Sequence, residues 1–457
     1  MIDIRDIKKV YFIGIGGIGM SALARYFKFH GKEVSGYDRT ETTLTNQLTA
    51  EGIPVHYEEN LELAPRDADL IVFTPAIPKE HKELLYYQQN NYTLYKRSEV
   101  LGAITRSSFN ICVAGTHGKT TVTTMVAHIL RHSGYGCNAF LGGIAVNYNS
   151  NYWSHERNVC VVEADEYDRS FLRLSPDIAV VTAMDPDHLD IYGTREAMEE
   201  AFIEFTAGIK PAGLLVHKLD LKRGSELKAP QKQTYHLRDH SADACADNIS
   251  MHHGSYSFDV VIGGKKLSGF TLHMGGLHNI ENMVAAITVA DHLGIEEEKI
   301  KAAVEAFKGV KRRFEYIVKQ QHLVYIDDYA HHPEELRALI EGAKGLFPDL
   351  HCTVIFQPHL FTRTRDLAEG FAEVLNIPDE TFLLPIYPAR EKPIAGVTSE
   401  MIVEKMPIGK ARVVQKGEIL DIIKNKKAYS RQLELIITAG AGDIDTLVQP
   451  IKEIVEQ

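Results

Sequence analysis

The sequence predicts an α/β protein of three domains: a Rossmann-like N-terminal domain, a central P-loop mononucleotide-binding domain and a Rossmann-like C-terminal domain. Strand-like and helix-like patterns alternate along the chain, which calls for parallel sheets covered by helices. Two glycine-rich turns, at Gly14–Gly19 and Gly115–Lys119, each follow a strand and open a helix. At 457 residues the chain also exceeds one ordinary core, so two to four domains are expected.

In the first domain, expected over residues 1–107, KKVYFIGIG reads as a strand leading through the turn into the helical GMSALARYFKFHG. KEVSGYD and DADLIVFTPAI are further short strands that stop at polar or turn residues. In the second, expected over 108–311, FNICVAG runs into the loop GTHGKTT. The helix after it carries Val122, Met125, Val126, Ile129 and Leu130, the spacing of a core-facing stripe. NVCVVEAD and DIAVVTAMD follow as strands, the stretch from about 245 to 275 is meander-like, and HNIENMVAAITVADHLG is an Ala-rich helix. FKGVKRRFEYI reads as the hinge into a third domain over 312–457. There HLVYIDDYAHHP, HCTVIFQPH, ETFLLPIY and LELIITAGAGD are four strands, each with its polar residues where the strand ends. In open α/β sheets ligands bind at that carboxyl edge, so the functional edges are expected to face a shared cleft.

Composition narrows the class. The chain is 44% hydrophobic and 24% charged, and no apolar run approaches the roughly 20 residues of a membrane helix. The N-terminus lacks the charged start, apolar stretch and cleavage site of a secretory signal, so a cytoplasmic protein without a membrane partner is expected. A net charge of −11 argues against nonspecific nucleic-acid binding, which needs Lys and Arg to neutralise phosphates. Five scattered cysteines form neither a zinc spacing nor a disulfide framework, which fits a reducing compartment.

Four motifs carry chemistry. Gly14-Ile15-Gly16-Gly17-Ile18-Gly19, with Asp38 after the next strand, lets a pyrophosphate approach a helix N-terminus. The motif alone does not separate NAD from another diphosphate such as a UDP-sugar. In Gly115-Thr116-His117-Gly118-Lys119-Thr120-Thr121, backbone N–H groups form an anion nest, Lys119 supplies a point charge and Thr120 offers a hydroxyl to Mg²⁺. The usual loop places a glycine five residues before its second glycine; Val113 stands there, and Gly115 lies only three ahead of Gly118. Acidic clusters stand at two strand ends, Glu163-Ala164-Asp165-Glu166 and Asp185-Pro186-Asp187-His188, and supply the oxygen ligands Mg²⁺ prefers. The fourth group is Asp327-Asp328-Tyr329-Ala330-His331-His332-Pro333 with Gln357-Pro358-His359 and Thr362-Arg363-Thr364-Arg365, where arginine suits a carboxylate or phosphate.

GIGGIGM, GTHGKTT, EADEYD, PDHLDIY, LHNIENMVAAI, KRRF, DDYAHHPEEL and FQPH followed by FTRTRDL occur in this order along nearly the whole chain. Together they resemble the Mur ligase family, and the shortened loop resembles that family's version. The resemblance implies ATP-dependent amide ligation in peptidoglycan synthesis, with three domains for UDP-sugar, ATP and amino acid. DDYAHHP and TRTRDL resemble the branch that joins L-alanine to UDP-N-acetylmuramate, with ATP and Mg²⁺ as cofactors and a monomer or weak homodimer as the assembly.

By this resemblance Gly14, Gly16, Gly17, Ile18, Gly19, Asp38 and Arg97 lie on the UDP-sugar side. Gly115 to Thr121 hold the ATP phosphates, with Lys119 on the transferring group. Thr120 and Glu163 hold one Mg²⁺, and His188 belongs to a second. His278, Asn279 and Asn282 match the adenine side, and Arg313 and Asp328 reach the nucleotide on closure. Tyr329, His331, His359 and Arg363 frame the amino acid; Lys119, His188, His331 and Arg363 form the catalytic set. The chain departs from the family at Leu360, where arginine is usual, at Phe361 for tyrosine and at Tyr167 for serine. Ile203 occupies the place of the carbamylated lysine of several sister ligases, as in the alanine-adding branch. Alternatives are a ligase that attaches a murein tripeptide to the same sugar, an NAD-dependent oxidoreductase, and a nucleotide-gated binding protein without catalysis.

Overall fold

A computed structural model describes residues 4, 6–186, 189–252, 254–389, 391–429 and 433–456. The chain packs as two compact units. The first comprises Met1–Asn248, Phe258–Phe270 and Glu281–Phe307; the second comprises Ile249–Ser257, Thr271–Ile280 and Lys308–Gln457.

The first unit opens with a five-stranded sheet in the order Val55–His56, Glu33–Tyr37, Lys9–Ile13, Leu70–Phe73, Leu94–Lys96, parallel throughout. The chain starts in the middle, builds to one side and then to the other. Its topological switch therefore lies where Lys9–Ile13 and Leu70–Phe73 end, and the first glycine loop leaves from that point. Val10, Tyr11, Phe12 and Ile13 are all buried, as a central strand covered on both faces requires.

The ten-stranded sheet runs Lys265–Leu272, Ser255–Ile262, Ala244–His252, Gln231–His236, Leu214–Lys218, Ile178–Val181, Phe109–Ala114, Val159–Glu163, Asn138–Ala145, Ser150–Trp153. From Ala244–His252 to Asn138–Ala145 the pairs are parallel, and Ser150–Trp153 returns antiparallel as a hairpin. That hairpin was not foreseen: Gly142 and Gly143 break the strand signal of its first arm.

The helix Lys119–His132 departs from the expected stripe. The anticipated Val122, Met125, Val126, Ile129 and Leu130 are buried, but so is every other residue from Thr121 to Leu130. Its threonines are tolerated inside because Thr123 and Thr124 donate to the carbonyls of Lys119 and Thr120, each at 2.7 Å. His128 is 1% exposed; its Nε2 donates to the Ala303 carbonyl at 2.8 Å and its Nδ1 accepts from Tyr148 at 2.8 Å.

One apolar core runs through both sheets of this unit, from Val10 and Phe12 to Phe171, Phe202 and Leu227. Buried Asn151, on the hairpin, donates to Ser21 Oγ at 3.0 Å, to the Ile18 carbonyl, and accepts from Arg25. The first turn of the helix Ile18–Phe29 is thereby tied to the ten-stranded sheet.

The second unit holds six strands in the order Glu315–Lys319, Leu323–Asp328, Glu434–Ala439, His351–Phe356, Glu380–Leu383, Ala411–Val413. The first is antiparallel to its neighbour and the rest are parallel. The four expected strands are its centre; the two edge strands are mostly part-exposed, which blurs their pattern. Among the described residues no helix is long and apolar enough to cross a membrane.

Candidate active site

The phosphate loop is shaped by what its glycines leave out. Gly115 has φ +138°, and a Cβ there would fall 2.1 Å from Thr182 Oγ1. Gly118 has φ +79° and caps the helix Lys119–His132 in a left-handed conformation. Thr116 is fixed on both sides: its N–H donates to Ala183 O at 3.1 Å and its Oγ1 accepts from the Asp185 N–H at 3.1 Å. The second acidic cluster therefore touches the loop through its backbone. His117 is exposed at the tip.

Lys119 does not reach into solvent. Its Nζ donates to the Gly115 carbonyl at 2.6 Å and to Glu166 Oε1 at 2.7 Å. The Glu166 side chain is fully buried; burial pushes its carboxyl up, opposed by the Lys119 ammonium. Glu166 was read only as one of the acidic cluster's oxygen donors, and its pairing with Lys119 was not anticipated. The run Glu163-Ala164-Asp165-Glu166 contained the signal, since only its first member can remain on the strand Val159–Glu163.

Glu163 pairs in register with Val113, so its strand ends beside the loop. Its carboxylate lies over Gly142, where a Cβ would meet both oxygens at 2.2 Å, and Oε2 accepts the Gly142 N–H at 3.1 Å. The unforeseen strand thus supplies the cradle for a foreseen residue. Asn282 sits behind the loop, 3.0 Å from the position of a Cβ on Gly118.

At the first loop Gly14 and Ile15 donate to the Tyr37 carbonyl at 2.8 and 2.9 Å. The Gly16 N–H donates to Asp38 Oδ2 at 2.7 Å, so Asp38 holds the loop itself. Gly17 precedes the helix, Ile18 opens it, and a Cβ on Gly19 would lie 2.9 Å from Arg97. Arg97 faces Asp165 at 3.4 Å, and the two line a small cleft with Glu163, Ser98 and Ser170. A residue expected on the sugar side and one expected on the metal side share this cleft.

His278, Asn279 and the candidates from Arg313 to Arg363 belong to the second unit. Asn279 Nδ2 donates to the Gly275 carbonyl at 2.6 Å, and the His278 ring packs over Gly276. Asp328 Oδ2 accepts the Phe314 N–H at 2.6 Å and Oδ1 the Ala330 N–H at 2.7 Å, which fixes the hinge segment around Arg313. Burial raises the Asp328 carboxyl, with Arg313 opposing. The neighbouring Asp327 is pushed up to about 7 by burial and is held by Arg312 at 3.3 Å and Thr438 at 2.6 Å. The guanidinium groups of Arg312 and Arg313 stand 5.2 and 5.5 Å from the Tyr329 ring.

His331 Nδ1 donates to the Tyr329 carbonyl at 2.9 Å, which leaves Nε2 as the acceptor; Glu335 lies 3.4 Å from the same Nδ1. Burial lowers this imidazole to about 4 against the pull of Glu335, so it is neutral at pH 7. The His359 ring lies 6.2 Å from His331 and stacks on Tyr387 at 5.8 Å; Arg363 Nη1 reaches its Nδ1 at 3.5 Å. Burial and Arg363 together lower His359. His188 lies outside the described residues.

Family models match three successive stretches: Mur ligase family, catalytic domain over 9–109; Mur ligase middle domain over 113–290; and Mur ligase, glutamate ligase domain over 312–442. The chain is 45% identical over 460 residues to the UDP-N-acetylmuramate–L-alanine ligase of Flavobacterium johnsoniae, covering 100% of this chain and 99% of the other. It is 47% identical to that of Phocaeicola vulgatus, with 98% of each covered. The chain belongs to the Mur ligase family. Among solved structures this Mur ligase is similar to the UDP-N-acetylmuramate–alanine ligase of Thermotoga maritima, with TM-score 0.82, 29% identity and 98% of each chain covered. Mur ligases are ATP-dependent enzymes, which sets the NAD-dependent oxidoreductase alternative aside.

Proposed function

We propose that this Mur ligase joins L-alanine to UDP-N-acetylmuramate through an acyl phosphate, in peptidoglycan precursor synthesis. The observation that carries the reading is full-length likeness, at 45–47% identity, to curated ligases of that name. The assigned ranges are 1–107 for the UDP-sugar, 108–311 for ATP and 312–457 for the amino acid.

A carboxylate resists attack because its leaving group would be oxide. Phosphorylation by ATP converts it to an acyl phosphate, and the amine then expels phosphate. Phosphoryl transfer asks the protein mainly for positioning and charge. Lys119 serves here by leaving the Gly115 carbonyl and Glu166 for the phosphate oxygens, while loop N–H groups from Gly115 to Thr121 hold the rest. The first loop, with Arg97 against Gly19, takes the UDP diphosphate.

The donor set suits Mg²⁺: Thr120 offers a hydroxyl, and Glu163 a carboxylate seated in a glycine cradle at the same sheet edge. When bound, Mg²⁺ supplies neutralisation of phosphate charge. Asn282 behind the loop and His278 and Asn279 are assigned to the adenine side, with Arg313 and Asp328 toward the nucleotide. Arg363 would take the amino-acid carboxylate, and neutral His331, through Nε2, would accept from the ammonium.

The test uses purified protein with Mg²⁺-ATP and UDP-N-acetylmuramate. Phosphate release should depend on added L-alanine. Turnover with the murein tripeptide and none with L-alanine would replace this reading by the recycling ligase.

A further inference from the structure

Leu360 adopts φ +71° and ψ 135°, a conformation that side chains with a Cβ rarely take. It falls where the chain passes from His359, bridged to Tyr387, directly into the helix Phe361–Val374. Both of its peptide groups are held. Its N–H donates to the Tyr387 carbonyl at 2.9 Å, and its carbonyl accepts from Thr364 N at 3.1 Å and Oγ1 at 2.8 Å. The next turn is also pinned, since the Thr362 N–H donates to Glu391 Oε2 at 3.0 Å.

The positive φ sets the consequence. It reverses the chain so sharply that the helix begins at once, and its first turn brings Arg363 back to His359 at 3.5 Å. An ordinary extended or helical φ at residue 360 would swing the helix away and part the two side chains. Glycine would take this conformation without strain, but it would also relax into others. A residue with a Cβ has a narrower range at positive φ than glycine, so once the flanking bonds force the turn the geometry is narrow.

We propose that the turn at residue 360, forced by these flanking bonds and narrowed by the Cβ rather than the isobutyl group of Leu360, holds Arg363 and His359 at the spacing needed for the carboxylate of a small amino acid. The inference rests on the functional reading above. Its observation is independent: a strained backbone, pinned on both sides, lies between two residues assigned to the amino acid.

Two variants separate backbone from side chain. Leu360→Ala removes the isobutyl group and keeps the Cβ; Leu360→Gly removes the Cβ as well. L360G should melt about 2 °C or more above L360A, the reverse of the usual order of alanine and glycine. The KM for L-alanine should stay within about threefold of wild type in L360A and rise about tenfold or more in L360G, with the KM for ATP unchanged in both. If L360G melts no higher than L360A, the strain is absent. If L360G keeps the wild-type KM for L-alanine, the strain does not serve the site. Wild-type dependence on L-alanine tests the functional reading separately, before either variant is compared.

Discussion

The two glycine-rich loops of the first unit share one architecture and carry different charge. Each leaves a parallel strand and opens a helix. In the first, Asp38 occupies a loop N–H, and positive charge comes from Arg97 lying against Gly19. In the second, the ammonium of Lys119 is stored within the loop on a carbonyl and on buried Glu166. The helices behind them are also pinned differently: Asn151 and Arg25 hold the first, and His128 holds the second. A glycine loop alone offers backbone N–H groups to an anion; the side chains turned into it set how much charge it can meet.

The largest effect should come from the stored charge. Lys119→Ala is expected to lower kcat by roughly 10³-fold or more while UDP-sugar binding survives. Phosphate release and a direct titration of the sugar nucleotide measure the two halves. Undiminished turnover would put both loops on the same footing and remove Lys119 from the mechanism.

Acid should separate the helices next. Burial lowers His128 to about 4, so the unfolded chain, with an ordinary histidine near 6.5, takes up the proton first. Stability present above pH 6.5 is therefore lost as pH falls toward 4, by up to about 3 kcal/mol. His331 contributes in the same direction. Melting from pH 7 to pH 4.5 should show the fall, and His128→Gln should flatten it. An identical slope in that variant would mean the helix anchor does not titrate.

The smallest effect belongs to the first loop. A Cβ at Gly16 would lie 2.8 Å from Asp38 Oδ2 and 2.7 Å from Thr45. Gly16→Ala should cost about 1–3 kcal/mol of UDP-sugar binding, which is roughly ten- to hundredfold in KM. The KM for ATP should not move. A matching rise for ATP would show that the tie through Asn151 transmits the disturbance between the loops.

Much of the site was legible because its parts are local. GTHGKTT and GIGGIG each place their glycines and first helical turn within a few residues, and strand periodicity set the neighbouring edges. Less local features were hidden. Asp38 was expected on the UDP-sugar side, but nothing in its own stretch reveals that it folds back onto the loop and accepts from Gly16. The helix after the phosphate loop looked one-sided because its threonines read as polar, although their hydroxyls bond within the helix and leave it free to be buried all round. The hairpin carrying Gly142 and Asn151 was invisible for the opposite reason: glycines that weaken a strand pattern were there to admit a carboxylate.

By itself the sequence determined the three α/β domains, the two glycine-rich strand-to-helix turns and the family, since each depends on periodicity or on motifs in fixed order. Tertiary structure alone decided that Lys119 rests on Glu166, 47 positions away, and that Asn151 grips the first helix from 130 positions beyond Ser21. It also decided that Leu360 turns left-handed between two assigned ligands. The physical reason is common to all three. A buried polar pair or a strained turn is stable only when distant segments supply its partners, and no local stretch of sequence contains them.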